Sequence, residues 1–148
     1  MRALIDLGIA RELGRPMLPI AELAQKENIP IKFLEAILLE LNRAGFLESK
    51  RGKGGGYAIK MPMSRIKIGD IVRLIDGPLA PISCASVTAY ARCSCPDEAH
   101  CGLHLLMIDV RNAIADILDR HTLEQVVGVT LQKMRRDKAP LRFAEVRP

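Results

Sequence analysis

Apolar residues recur every third or fourth position through most of the chain, a pattern that predicts helices, broken at one place by strand-like alternation. Leu4, Ile5, Leu7, Ile9, Ala10 and Leu13 give an amphipathic first helix over residues 1–14, closed by Gly14. A turn carrying Pro16 and Pro19 follows. Ile20–Glu27 reads as a short helix with Leu23 and Ala24 inward, and Asn28–Pro30 as a tight break. Ile31–Ala44 reads as a second helix with Ile31, Leu34, Ile37, Leu38 and Leu41 on one face. Gly45 sits just past its end, where a helix favours a residue tolerant of positive φ. Two helices joined by so short a turn have the plan of a helix-turn-helix, although any helical hairpin gives a similar pattern.

The next segment sharpens that reading. Phe46–Lys50 and Tyr57–Lys60 alternate as two strands around the glycine-rich turn RGKGGG at residues 51–56. A hairpin directly behind the second helix is the wing of a winged helix, and this wing tip is basic and nearly free of side chains. Glycines let a backbone approach a partner closely, while Arg51 and Lys53 supply charge. A narrow minor groove attracts an inserted arginine, which gives Arg51 a physical role. The stretch RIKIGDIVRLIDGP, starting at Arg65, predicts a short strand and then a helix from Gly69 to Asp76, followed by a proline-rich linker at 77–83. Further on, Leu103, Leu106, Met107, Val110, Ile114, Ile117 and Leu118 predict a long helix with a continuous apolar stripe. That stripe exceeds what one face of a small domain needs, so pairing with a second subunit is expected. Thr122-Leu-Glu-Gln125 is a capping box opening a short helix through Val127, and the tail from Lys133 reads as basic and loose.

The expected fold is therefore mainly α with a small β-hairpin wing. A winged helix-turn-helix domain occupies 1–77, and a linker with the cysteine-bearing loop occupies 78–102. A dimerisation helix and short following helix fill 103–128, and a flexible basic tail fills 129–148.

Charge and composition narrow the partner. The net charge is +5, and between Arg43 and Lys67 seven basic residues stand against the single acid Glu48. A local basic strip of that kind suits a polyanion. With no Trp, three Phe and two Tyr, the chain lacks the aromatics of a single-strand stacking platform, so duplex DNA is the expected nucleic acid. The N-terminal stretch has no signal-peptide pattern and no run approaches a membrane span, so a cytoplasmic location, reduced thiols and no membrane partner are expected.

All four cysteines and two of the three histidines fall in CASVTAYARCSCPDEAHCGLH, residues 84–104. A chain of 148 residues can bury a core unaided, which argues against a disulfide staple. Zinc knuckles use C-x2–4-C pairs, and none is present; Cys93-x-Cys95 is too tight for an easy chelating loop. Wider spacings in an irregular loop are compatible with an iron–sulfur cluster. Cys101 and His104 share one helix face at i and i+3, so both can point at the same site. Cys84 also fits an ordinary buried cysteine, His100 an exposed loop residue, and His104 a packing residue. No general base or oxyanion site accompanies the thiols, so neither an enzyme nor a small-molecule substrate is expected.

Taken together, ELAQKENIPIKFLEAILLELNRAGFLESKRGKGGGYAIKMP, IKIGDIVRLIDGPLAP, the cysteine loop and DVRNAIADILDRHTLEQVV resemble the IscR/NsrR/RirA-like winged-helix regulators over residues 1 to about 128. The resemblance implies a homodimer on double-stranded DNA, and a 2Fe–2S or 4Fe–4S iron–sulfur cluster on three cysteines plus one further ligand. Such a regulator senses cluster supply, iron, redox state or nitric oxide. It implies ligands from Cys84, Cys93, Cys95, Cys101 and His104, and DNA contacts from Lys32, Glu35, Lys50, Arg51, Gly52, Lys53, Gly54 and Tyr57. Ala89 stands where the cluster-assembly regulators carry their first cysteine, so Cys93 or Cys84 must substitute. Ala36 replaces a frequent Gln in the recognition helix, which predicts a different base preference. Family members usually begin further upstream, with a basic segment that helps contact phosphates. A cluster-free regulator using a thiol/disulfide switch or zinc, and a metal-bound protein-interaction module, are the alternatives.

Overall fold

Residues 2–12 combine apolar side chains on every side of the helix they form, so this first helix is central rather than peripheral. In the computed structural model, which describes residues 1–141 and Phe143, α1 (Arg2–Glu12) buries Leu4, Leu7, Ile9 and Ala10 almost completely. The elements that follow are β1 (Met17–Leu18), α2 (Ile20–Glu27), α3 (Ile31–Arg43), β2 (Leu47–Lys50) and β3 (Gly56–Ile59). After a 3-10 turn at Met63–Arg65 come α4 (Ile68–Asp76), a second 3-10 turn at Ser83–Ala85, α5 (Gly102–Arg120) and α6 (Leu123–Arg136). The chain forms two units, one of Met1–Ile66 with the chain from Thr122 onward, the other of Lys67–His121.

In the first unit the strands form one antiparallel sheet in the order β1-β3-β2. Leu47 pairs with Ile59 and Lys50 with Gly56 across the wing, while Met17 pairs with Ala58 and Leu18 with Tyr57. The strand β1 lies in what the sequence reads as a plain turn. Two residues between prolines are too few to show alternation, but their backbone groups pair with the otherwise open edge of β3. Where a short strand is expected before α4, the chain makes the 3-10 turn and then a single β-bridge residue at Lys67, with Ile66 between them fully buried. The left-handed Asn28, at φ 51°, ends α2 and turns the chain into α3.

The helices α1 and α6 touch at Gly8, where a Cβ would lie 2.5 Å from Val127 Cγ2 and 3.1 Å from Met63 Sδ. The capping box at Thr122 is present. Thr122 Oγ1 accepts from the Gln125 amide at 3.3 Å, and the Gln125 side chain accepts from the Thr122 amide at 3.0 Å. This helix runs past Val127 to Arg136, through residues read from the sequence as tail. Gly128, Val129 and Thr130 are weak helix formers, yet Leu131 continues the buried stripe of Leu123 and Val127. Lys133, Arg135 and Arg136 also suit the negative end of the helix dipole. Of the expected tail, residue 142 and residues 144–148 lie outside the described residues.

In the second unit α4 ends at Gly77, with φ 86°. Arg73 joins α4 to α5 through two bonds to Asp119, at 2.8 and 2.7 Å. A side chain at Gly69 would occupy the space taken by the Asp119 carboxylate, so the glycine makes room for this pair. None of the 19 residues of α5 is buried within the described chain.

Candidate nucleic-acid interface and cysteine loop

The wing is a hairpin whose tip conformation explains its glycines. Gly52 and Gly54 have φ of 92° and 74° with open space around each, so backbone conformation, not crowding, calls for glycine there. Gly56 is different, because a Cβ on it would run into the Leu18 carbonyl of β1. Lys50, Arg51, Gly52, Lys53 and Gly54 are exposed. Tyr57 is half-buried in the sheet, between Leu18 and Ser49.

The helix α3 buries Leu34, Leu38 and Leu41. Ile31, read from the sequence as inward, is 50% exposed. It is the first residue of the helix, and side chains in a first turn lean back toward the N-terminal end, away from the buried row of Leu34, Leu38 and Leu41. The outward row at helical spacing is Lys32, Ala36, Leu39 and Arg43, with Glu35 beside it. Leu39 was not singled out by sequence, and Arg43 only as part of the basic strip, although counting 4, 3 and 4 residues on from Lys32 finds both. Phe33, 62% exposed, was missed as well. Among the described residues no carboxylate lies within ion-pair distance of Lys32, Lys50, Arg51 or Lys53, so their charges are free to meet phosphates.

The cysteine loop runs from the second 3-10 turn to the start of α5. Cys84 is buried and free, and Cys101 is half-buried and free at the N-cap of α5. The sulfurs of Cys93 and Cys95 are joined as a disulfide. The sequence reads these two as too tightly spaced to chelate one metal, and in the structure they pair with each other. Glu98 organises the loop, and nothing in the spacing announces it. Its carboxylate accepts from the Cys93 amide at 2.9 Å and from the Tyr90 hydroxyl at 2.8 Å. The Cys93 amide first, and then the Tyr90 phenol, hold the Glu98 carboxyl below the usual range, while the bond to Glu98 pushes the Tyr90 phenol up. His100 is exposed and its ring lies 2.7 Å from Asp97.

His104 sits one turn into α5 from Cys101, and its Nδ1 is buried without a hydrogen-bond partner among the described residues. A buried ring nitrogen without a partner is costly unless something binds it. Soft thiolates and an unsatisfied imidazole are the donor chemistry an iron–sulfur cluster uses. The loop as described does not gather the candidates: no group of three or more His, Cys, Asp or Glu among the described residues is placed to hold a metal ion.

The family model of the Rrf2 iron-dependent transcriptional regulators matches residues 1–128. The chain belongs to the Rrf2 family. It is 37% identical over 130 residues to a Rhodobacter capsulatus protein named as an rrf2-like HTH-type transcriptional regulator, covering 86% of this chain and 87% of that one. The solved structure of CymR, the global cysteine regulator of B. subtilis, superposes with a TM-score of 0.65 at 28% identity, over 85% of this chain and 89% of that chain. The IscR of T. potens has the same fold, with a TM-score of 0.65 at 22% identity over 93% of this chain and 84% of that one. The Rrf2 chain is thus a DNA-binding transcriptional regulator with a winged-helix fold, and not an enzyme. No described helix is long and apolar enough to cross a membrane.

Proposed function

We propose that this chain is a homodimeric regulator whose DNA affinity is set by an iron–sulfur cluster on the 84–104 loop. The observation that carries the reading is the buried Nδ1 of His104, without a partner among the described residues, one turn from Cys101 and adjoining a loop that carries the free Cys84 and the Cys93–Cys95 pair. Cys95, Cys101 and His104 would hold the cluster with Cys93 or Cys84. When bound, the cluster supplies a redox-sensitive, nitric-oxide-sensitive group. The chain's own part is to hold or release the loop. Glu98 ties Tyr90 to Cys93, and Arg111 ties the 3-10 turn at Ala85 to α5 at 2.6 Å, so a change at the thiols reaches the long helix.

On DNA, α3 would read the major groove. Lys32 serves phosphates, and Glu35 accepts from cytosine N4. Arg51 enters the minor groove, Lys50 and Lys53 hold flanking phosphates, and Gly52 and Gly54 allow close approach, with Tyr57 supporting the wing. The second copy is supported by α5, where Leu103, Leu105, Leu106 and Ile117 are each more than half exposed. Anaerobic purification, followed by an absorption spectrum and iron and sulfide analysis, tests the cluster. A coloured protein with acid-labile sulfide is expected, and a colourless one without sulfide refutes the reading.

A second reading rests on the Cys93–Cys95 pair, in which a reversible disulfide alone is the signal. It predicts DNA affinity that responds to thiol reductants in iron-free protein.

A further inference from the structure

The second unit contains a cavity of about 220 Å3 where the linker after α4, the start of the cysteine loop and the middle of α5 meet. We propose that it binds a small aliphatic carboxylate. Its polar lining is Arg73, Arg111, Ser86, Thr88 and Asn112, none of them an acid. Arg73 is already matched by Asp119. Arg111 is not: among the described residues its guanidinium has no carboxylate partner, and donates only to the Ala85 carbonyl and the Asn112 side-chain oxygen.

The remaining groups are left as donors. Asn112 spends its oxygen on Arg111 and keeps its amide hydrogens. The buried Ser86 hydroxyl accepts from the Ala89 amide at 3.0 Å and keeps its own hydrogen to give. One half-buried guanidinium without a counter-charge, flanked by hydroxyl and amide donors, selects a single negative charge. The planar fork of arginine matches a carboxylate best. Pro78, Leu79, Val87 and Ala115 supply apolar wall for a short aliphatic chain. At about 30 Å3 per water, the cavity has room for roughly seven waters, the size of a four-carbon acid.

This inference needs neither cluster nor DNA, and its test uses neither. The full-length protein is titrated with sodium butyrate by calorimetry and thermal unfolding, beside butyramide, sodium phosphate and sodium chloride at equal ionic strength. Saturable butyrate binding with a raised Tm is expected, and none with butyramide. Asn112→Asp puts a carboxylate on Arg111 while leaving its bond to Ala85, and should weaken butyrate roughly tenfold or more; Arg111→Gln should abolish binding. Butyrate no better than chloride, unchanged binding by Asn112→Asp, or phosphate binding with butyrate silent would each overturn the proposal. So would an Arg111→Gln protein that changes its subunit number while wild type ignores butyrate, because the guanidinium then serves a second copy.

Discussion

At the scale of single residues, Cys101 and His104 divide the readings most sharply. Cys101→Ala should abolish the visible spectrum of anaerobically purified protein, and an unchanged spectrum removes Cys101 from the ligand set. His104→Ala should shift the spectrum if imidazole is a ligand, whereas a packing role predicts lost stability with an unaltered spectrum. The buried Nδ1 without a partner makes the first outcome the expected one. On the wing, Arg51→Ala removes an unpaired, exposed charge. It should weaken operator binding by about 1–3 kcal/mol, measured by fluorescence anisotropy, if the side chain enters a minor groove. Thiol crowding in residues 84–104 was legible because the rest of the chain has no cysteine. The role of Glu98 was not, since its partners Tyr90 and the Cys93 amide are set by loop conformation, which has no periodicity.

At the scale of elements, the two bonds between Arg73 and Asp119 are what α4 and α5 share in side-chain polarity. The hydrogen bond from Arg73, and then its charge, hold the Asp119 carboxyl below its ordinary value of 3.8. A carboxylate depressed in the folded state stabilises above its unfolded value, and that stability is lost as pH falls through the folded one. Asp119→Asn should therefore cost about 1 kcal/mol or less at neutral pH, because both side chains are about one-third exposed and solvent screens them. The difference from wild type should vanish well below pH 3.8, as urea unfolding at several pH values will show. Packing dominates at the contact of α1 with α6. Gly8→Leu forces a side chain into Val127 and Met63 and should cost roughly 1–3 kcal/mol or more in the same assay. Most helices were legible because buried residues such as Leu34, Leu38 and Leu41 recur at helical spacing. The strand β1 was not, and neither was the second half of α6, where tertiary contacts at Leu131 outweigh the poor propensities of Gly128–Thr130.

At the scale of the whole molecule, the unneutralised strip of Lys32, Lys50, Arg51 and Lys53 sets the salt response. If each subunit neutralises about four phosphates, affinity should fall roughly four decades between 50 and 200 mM salt, and a flat response counts against DNA contact by this surface. The first unit also has a property that its sequence order hides. It closes with Leu123, Val127 and Leu131 from α6, which return after the entire second unit, and Leu123 re-enters by donating its amide to Ile66 at 2.8 Å. Covalent order and spatial order therefore differ. A polypeptide ending near residue 77 would carry every side chain proposed to contact DNA and still lack one wall of its own core. The wing and helix pair are thus not a detachable module, and proteolysis between the units should destroy DNA binding instead of liberating a constitutively binding fragment.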